Sequence, residues 1–171
     1  MNKYHSVVVF VICDDEVLML NRNKKFWMGM WNCVGGKIEK NETHLDAAVR
    51  ETFEETGLNI NKEQFLYLAD LEWFFGDEEN YSEEDGAYCY IVHIDNEVRN
   101  KYFCNPISTD EGILAFKKID WVLHHDNTGV VPDIFVLLSN MLKGTFTTVT
   151  AYYDKENHLY DIISREGVKN G

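Results

Sequence analysis

The stretch GGKIEKNETHLDAAVRETFEETGL, Gly35 to Leu58, decides how this chain is read. The paired glycines permit a tight backbone turn and the close approach of a ligand. Thr43 is placed to cap a helix, with Asp46 three residues on in capping-box style, and Gly57 supplies the C-terminal stop. At roughly 100° per residue, Leu45, Ala48, Val49, Thr52 and Phe53 share one arc of that helix and are expected to pack. Glu51, Glu54 and Glu55 fall on another arc, at i, i+3 and i+4. Three carboxylates on one face repel one another and give the helix no folding benefit. A divalent cation removes that cost, and carboxylates are the ligands that Mg²⁺ and Mn²⁺ prefer.

Before this stretch, Tyr4 to Ile12 and Glu16 to Leu20 are apolar and rich in β-branched residues, which predicts a hairpin turning at Asp14-Asp15. Asn21 to Met30, NRNKKFWMGM, is a basic and aromatic loop in an otherwise acidic chain. Trp31 to Glu39 is expected to be a short strand broken at Gly35-Gly36.

After the helix, Gln64 to Phe75 and Ala87 to Ile94 are predicted strands. GDEENYSEEDG between them has the composition of a solvated acidic loop. Asp95 to Glu111 is expected to be irregular, Gly112 to Phe116 to lead into a short strand, and Lys117 to Asn127 to form a connection. Val131 to Lys143 shows helical periodicity, with Pro132 suited to a first turn. Thr145 to Asp154 and His158 to Ser164 read as a closing hairpin across Lys155-Glu156-Asn157, and the tail from Arg165 to Gly171 as frayed. Strands and helices interleave as in one mixed α/β domain over residues 1–171.

The 171 residues suffice for a real core, and 45% hydrophobic with 13% aromatic content is that of a globular protein. No apolar run reaches transmembrane length. The N-terminus lacks the long apolar run and cleavage site of a signal peptide, so a cytoplasmic protein is the expectation. Cys13, Cys33, Cys89 and Cys104 are scattered and read as reduced thiols, and His124-His125 as solvated loop residues. A net charge of −13 disfavours a long nucleic-acid partner. A phosphate-bearing small molecule would need local basic residues or metal ions to be held.

Gly36, Glu42, Arg50-Glu51, Phe53, Glu54-Glu55 and Gly57-Leu58 stand at the spacing G-x5-E-x7-R-E-U-x-E-E-x-G-U, with U a bulky aliphatic position. The chain is thereby identified as resembling the Nudix hydrolases. Thr52 at the first U position is the one departure, and it lies on the packing arc. The resemblance implies an α/β/α sandwich with a mixed β-sheet, and hydrolysis of a nucleoside diphosphate linked to another moiety with Mg²⁺ or Mn²⁺. It also implies metal ligation by Glu51, Glu54, Glu55 and the Gly36 carbonyl. Arg50 would orient a box glutamate, Glu42 would support the site from the preceding loop, and Glu51 or Glu54 would act as general base. Hydrolysis of a phosphoanhydride needs charge cancelled on the diphosphate and a nucleophile made from water, which metal ions on clustered carboxylates supply.

The flanks are similar to those of the MutT-type branch that acts on oxidised purine nucleoside triphosphates. Asn32 stands where a base-contacting asparagine does. Glu111 stands where a further metal ligand does, and Val131-Pro132-Asp133 where a Trp-Pro-Asp-Asp grips the base. Val131 and Ile134 replace the tryptophan and the second aspartate, which weakens the case for 8-oxoguanine. Phe26 is a candidate to stack on a base, and Arg22 and Lys37 to hold phosphate. The expected substrate is a (deoxy)nucleoside triphosphate. ADP-ribose, another nucleotide sugar or a dinucleotide is the alternative, and a non-catalytic nucleotide sensor the second.

Overall fold

Val7 to Cys13 is an unbroken buried run, and it forms most of the strand at the centre of the sheet. A computed structural model describes residues 2–77 and 80–167, and of residues 77 and 80–84 the backbone alone. Among the described residues there are ten strands. They are β1 (Ser6–Cys13), β2 (Glu16–Arg22), β3 (Trp31–Asn32), β4 (Val34–Lys37), β5 (Leu66–Asp77), β6 (Asn80–His93), β7 (Ile107–Thr109), β8 (Gly112–Lys118), β9 (Thr147–Tyr153) and β10 (Leu159–Glu166). The helices are α1 (His44–Thr56), α2 (Asn96–Phe103), α3 (Ile119–Val122) and α4 (Ile134–Met141).

The sheet runs β10-β9-β5-β6-β1-β2-β8-β7, with β3 beside β2 and β4 beside β1. The β1–β6 and β5–β9 pairs are parallel, and the sheet is therefore mixed. Alternation along the strands divides the core in two. Val8, Phe10, Leu71, Cys89 and Val149 pack with Ile134, Leu137 and Leu138 of α4. Val7, Val9, Tyr88 and Tyr90 pack with Ala47 and Ala48 of α1 on the other face. This is the α/β/α sandwich expected.

Several boundaries differ from the expected ones. The Trp31–Glu39 strand breaks at Cys33, and Gly35 and Gly36 lie inside β4, paired with Val8 and Val7. The acidic stretch from Gly76 to Gly86 is largely strand, because the backbone ladder continues through Trp73↔Asp85, Phe74↔Glu84 and Phe75↔Glu83 whatever the side chains carry. The tip of that hairpin, residues 78–79, lies outside the described residues, as do residues 168–171 of the expected frayed tail. Arg165 and Glu166 belong to β10.

Asp95 to Glu111 is not irregular. Asp95 caps α2 by accepting from the Val98 amide at 2.8 Å, and Phe103 anchors that helix in the core. β7 follows. The connection from Lys117 contains the end of β8 and the single turn of α3. Pro132 precedes α4 rather than opening it, since Asp133 occupies the N-cap position. On α1 the buried arc is Ala47, Ala48 and Thr52, whereas Phe53 is 55% exposed. Among the described residues no helix is long and apolar enough to cross a membrane.

Candidate active site

α1 starts where sequence places it. The Thr43 hydroxyl accepts from the Asp46 amide at 3.1 Å, and the Gly57 amide closes the helix on the Phe53 carbonyl at 2.8 Å. The helix packs across β4 and β1, which sets its acidic face against the glycines. A Cβ on Gly36 would stand 2.4 Å from the Glu51 carboxyl. Any larger residue there would displace the carboxylate itself.

Arg50 organises the acids. Its guanidinium donates to Glu42 through Nε and Nη2, each at 2.9 Å, to Glu51 at 2.8 Å and to Glu54 at 3.0 Å, while Nη2 also reaches the Lys37 carbonyl at 2.9 Å. Sequence anticipates a pairing with a box glutamate and support from Glu42; the structure brings Glu42, Glu51 and Glu54 together on Arg50. The bidentate contact holds the Glu42 carboxyl below the usual carboxylate range. Glu51 moves the other way: burial raises it, and the adjacent Arg50 offsets only part of that. Glu55 accepts from the Gly35 amide at 3.1 Å, and burial pushes its carboxyl up to about 7, with the charges of Glu51 and Glu111 adding to the rise. This is a set of acids short of positive charge.

Glu111 lies in the β7–β8 turn, and its charge is felt at Glu55. The Asn23 amide donates to its carbonyl at 3.0 Å, and its carboxylate is ion-paired with Lys24. Lys37 contributes its carbonyl to the Arg50 network, and its side chain is exposed at the end of β4.

Beside the glycines lies a cleft of about 250 Å³. Gly35 and Gly36 form one end of it, and Arg22, Phe26, Asn32, Trp73, Asp133 and Tyr153 line the rest. The loop 23–30 reaches the cleft by unusual backbone: Phe26 and Trp27 have φ of 58° and 65°, in the left-handed region that bulky residues avoid. Trp27 tilts onto Tyr153 with centroids 5.5 Å apart, which leaves Phe26 72% exposed at the rim. The Asn32 side-chain Oδ1 accepts from the Cys33 amide at 2.8 Å, and this orients the side-chain amide.

Asp133 is buried and accepts from Trp73 Nε1 at 2.9 Å; it makes no capping bond to α4. Burial raises its carboxyl, and the bond from Trp73 offsets part of the rise. The Tyr153 hydroxyl lies near that carboxyl, yet makes no hydrogen bond of normal geometry. Arg22 Nε is likewise buried without a partner. Sequence did not single out Trp73 or Tyr153, because nothing local marks a strand aromatic as the wall of a cleft. Away from this cleft, His124, His125 and Asp126 are exposed and bring ligand atoms within 4.8 Å of one another.

The NUDIX domain model matches residues 3–139, and the chain belongs to that family. Among curated relatives, the oxidized purine nucleoside triphosphate hydrolase of Mus musculus is 39% identical over 54 residues, 32% of this chain and 35% of that protein. The NAD-capped RNA hydrolase of Schizosaccharomyces pombe is 33% identical over 69 residues, 40% of this chain and 18% of that protein. The chain thus spans about a third or less of these relatives' lengths. A mutator MutT protein from Bacillus halodurans has the same fold, with a TM-score of 0.76 at 21% identity over 94% of this chain and 97% of that one.

Proposed function

We propose that this chain is a cytoplasmic, metal-dependent pyrophosphohydrolase that cleaves a (deoxy)nucleoside triphosphate, including oxidised purine forms, to the monophosphate and pyrophosphate. The observation that carries this reading is continuity. The acidic face of α1 and the aromatic cleft meet at Gly35-Gly36, so one molecule can lay its phosphates over the first and its base in the second. The cleft is apolar with few polar groups, as small-molecule sites generally are.

The residues fit a divalent cation. Glu51, Glu54 and Glu55 with the Gly36 carbonyl, and Glu111 from the β7–β8 turn, would supply the oxygen donors, and among the described residues buried Glu55 has no ion-paired cation of its own. A bound Mg²⁺ or Mn²⁺ there neutralises diphosphate charge and acidifies water. Arg50 holds Glu51 and Glu54 in place, with Glu42 behind it. Arg22, whose buried Nε lacks a partner between the cleft and Glu55, is suited to a phosphate oxygen. Water attacks phosphorus, the bond to the pyrophosphate oxygen breaks, and the water proton passes to Glu54 or Glu51.

The likeness to an NAD-capped RNA hydrolase favours a second reading, in which the substrate is a dinucleotide or nucleotide sugar such as ADP-ribose. A panel of 8-oxo-dGTP, dGTP, ATP, NAD⁺ and ADP-ribose with Mg²⁺ separates the two by which substrate is turned over. A purely nucleotide-sensing domain would turn over none of them. In the assay Glu54→Gln should lower kcat by about 10²–10³-fold with nucleoside monophosphate binding retained. Unchanged turnover in that variant would reject the assignment.

A further inference from the structure

The family match ends at residue 139, yet one wall of the cleft is built beyond it, by β9 and the turn into β10. Tyr153, the last residue of β9, is 1% exposed, stacks on Phe75 at 5.3 Å and holds its buried hydroxyl beside the Asp133 carboxyl. Asn157 follows in the turn. Its neighbours Lys155, Glu156 and His158 are exposed, whereas Asn157 is half-buried and lines the cleft. The turn is braced: the Asp154 carboxylate accepts from the Glu156 amide at 2.9 Å and the His158 amide at 2.8 Å, and the Asn157 amide N–H donates to the Asp154 carbonyl at 3.1 Å. None of these bonds uses the Asn157 side chain.

We infer that the β9–β10 turn reads the nucleobase, with the Asn157 side-chain amide contacting the base edge in the cleft that Asn32 also lines. This rests on the nucleotide reading proposed above. Asn157 has φ 64°, a conformation that asparagine and glycine both adopt readily, so the backbone alone does not call for an amide. The cleft also contains a buried polar atom, Arg22 Nε, that lacks a partner among the described residues, and such an atom marks a place for a polar ligand. Finally, an amide offers both a donor and an acceptor, which suits the mixed edges of purines and pyrimidines.

The test is binding without metal. Trp27 and Trp73 line the cleft and report ligand by fluorescence, with AMP, GMP, CMP and UMP as probes, ribose 5-phosphate as the base-free control, and EDTA present. Asn157→Gly preserves the turn and removes the amide. It should weaken the best-bound monophosphate about 10-fold and leave ribose 5-phosphate unchanged, with an unaltered melting temperature. Asn157→Asp, which keeps the shape but turns donors into acceptors, should reorder the four bases.

If Asn157→Gly binds every monophosphate as the unaltered protein does, the inference is overturned and the hydrolase reading stands. It is overturned in the same way if ribose 5-phosphate binds as tightly as the nucleotides. If the unaltered protein neither binds nor hydrolyses any nucleotide, both fall.

Discussion

Gly36 is the residue on which the geometry of the acidic site turns. The atoms nearest a Cβ there belong to the Glu51 carboxyl, the free end of a side chain, whereas one on Gly35 would meet the Val7 carbonyl oxygen at 2.1 Å. The two glycines therefore fail differently. Gly36→Ala should cut turnover by about 10²-fold through a displaced carboxylate and weaken Mn²⁺ binding in titration, with little change in melting temperature. Gly35→Ala should unfold the protein at lower temperature, because backbone must move. Thr52 is the contrasting case. It is fully buried, and its hydroxyl donates to the Ala48 carbonyl at 2.7 Å, an oxygen the helix ladder already serves. Thr52→Val removes a satisfied polar group from the core, and the change in unfolding free energy should stay within about 1 kcal/mol. Denaturant titration measures it.

At the level of elements, α1 is moored at its first residue. His44 stacks on Tyr88 at 4.1 Å, is hydrogen-bonded to Tyr90, and faces Tyr67 from β5. Burial lowers its pKa below 6.5, against the opposing pull of Asp70 and Asp46. The unfolded chain then takes up a proton near 6.5 that the folded chain refuses, so stability is complete above that pH and falls as pH drops through it. Between pH about 7.5 and about 5.5 the melting temperature should fall more in the unaltered protein than in His44→Gln. Scanning calorimetry at the two values decides this.

The same elements show what the sequence could reveal. The β1–β2 hairpin, the cap at Thr43, the stop at Gly57 and the box spacing rest on neighbours in sequence, and all of them stand where expected. α2 and the acidic ends of β5 and β6 are hidden from sequence because their composition is mostly polar: α2 is fixed by the Asp95 cap and buried Phe103, and the strand ends by backbone pairing. Phe53 follows the apolar period and is expected in the core on that ground, yet the helix is rotated toward Ala47. In the site, Glu51, Glu54, Glu55 and Arg50 are legible from spacing. Trp73, Tyr153 and Asn157 are not, since they reach the cleft only through long-range pairing of β5, β6 and β9.

The molecule as a whole is a polyanion, with a net charge of −13, and the ligand proposed for it is another. Arg22 lines the cleft and opposes that field, whereas Lys24 is already paired with Glu111. Screening should therefore help binding. At fixed free Mg²⁺, raising NaCl from about 20 to about 200 mM should lower KM several-fold with kcat nearly constant, as the Debye length shortens. Steady-state kinetics across that range tests it, and a KM that rises with salt would indicate a steering positive patch instead.

The parallel pairing of β5 with β9 has a consequence in time. The register Ala69↔Thr147 joins positions 78 residues apart (147 − 69), whereas the glycines and carboxylates of the box lie within one short segment. Closing so wide a loop is entropically costly, so β9 is expected to dock late. On a ribosome, the box helix emerges and can form well before Tyr153 and Asn157 are synthesised. A nascent or partly opened chain would thus carry its acids before it carried its means of discrimination, and selectivity would be the last property acquired in folding and the first lost in fraying.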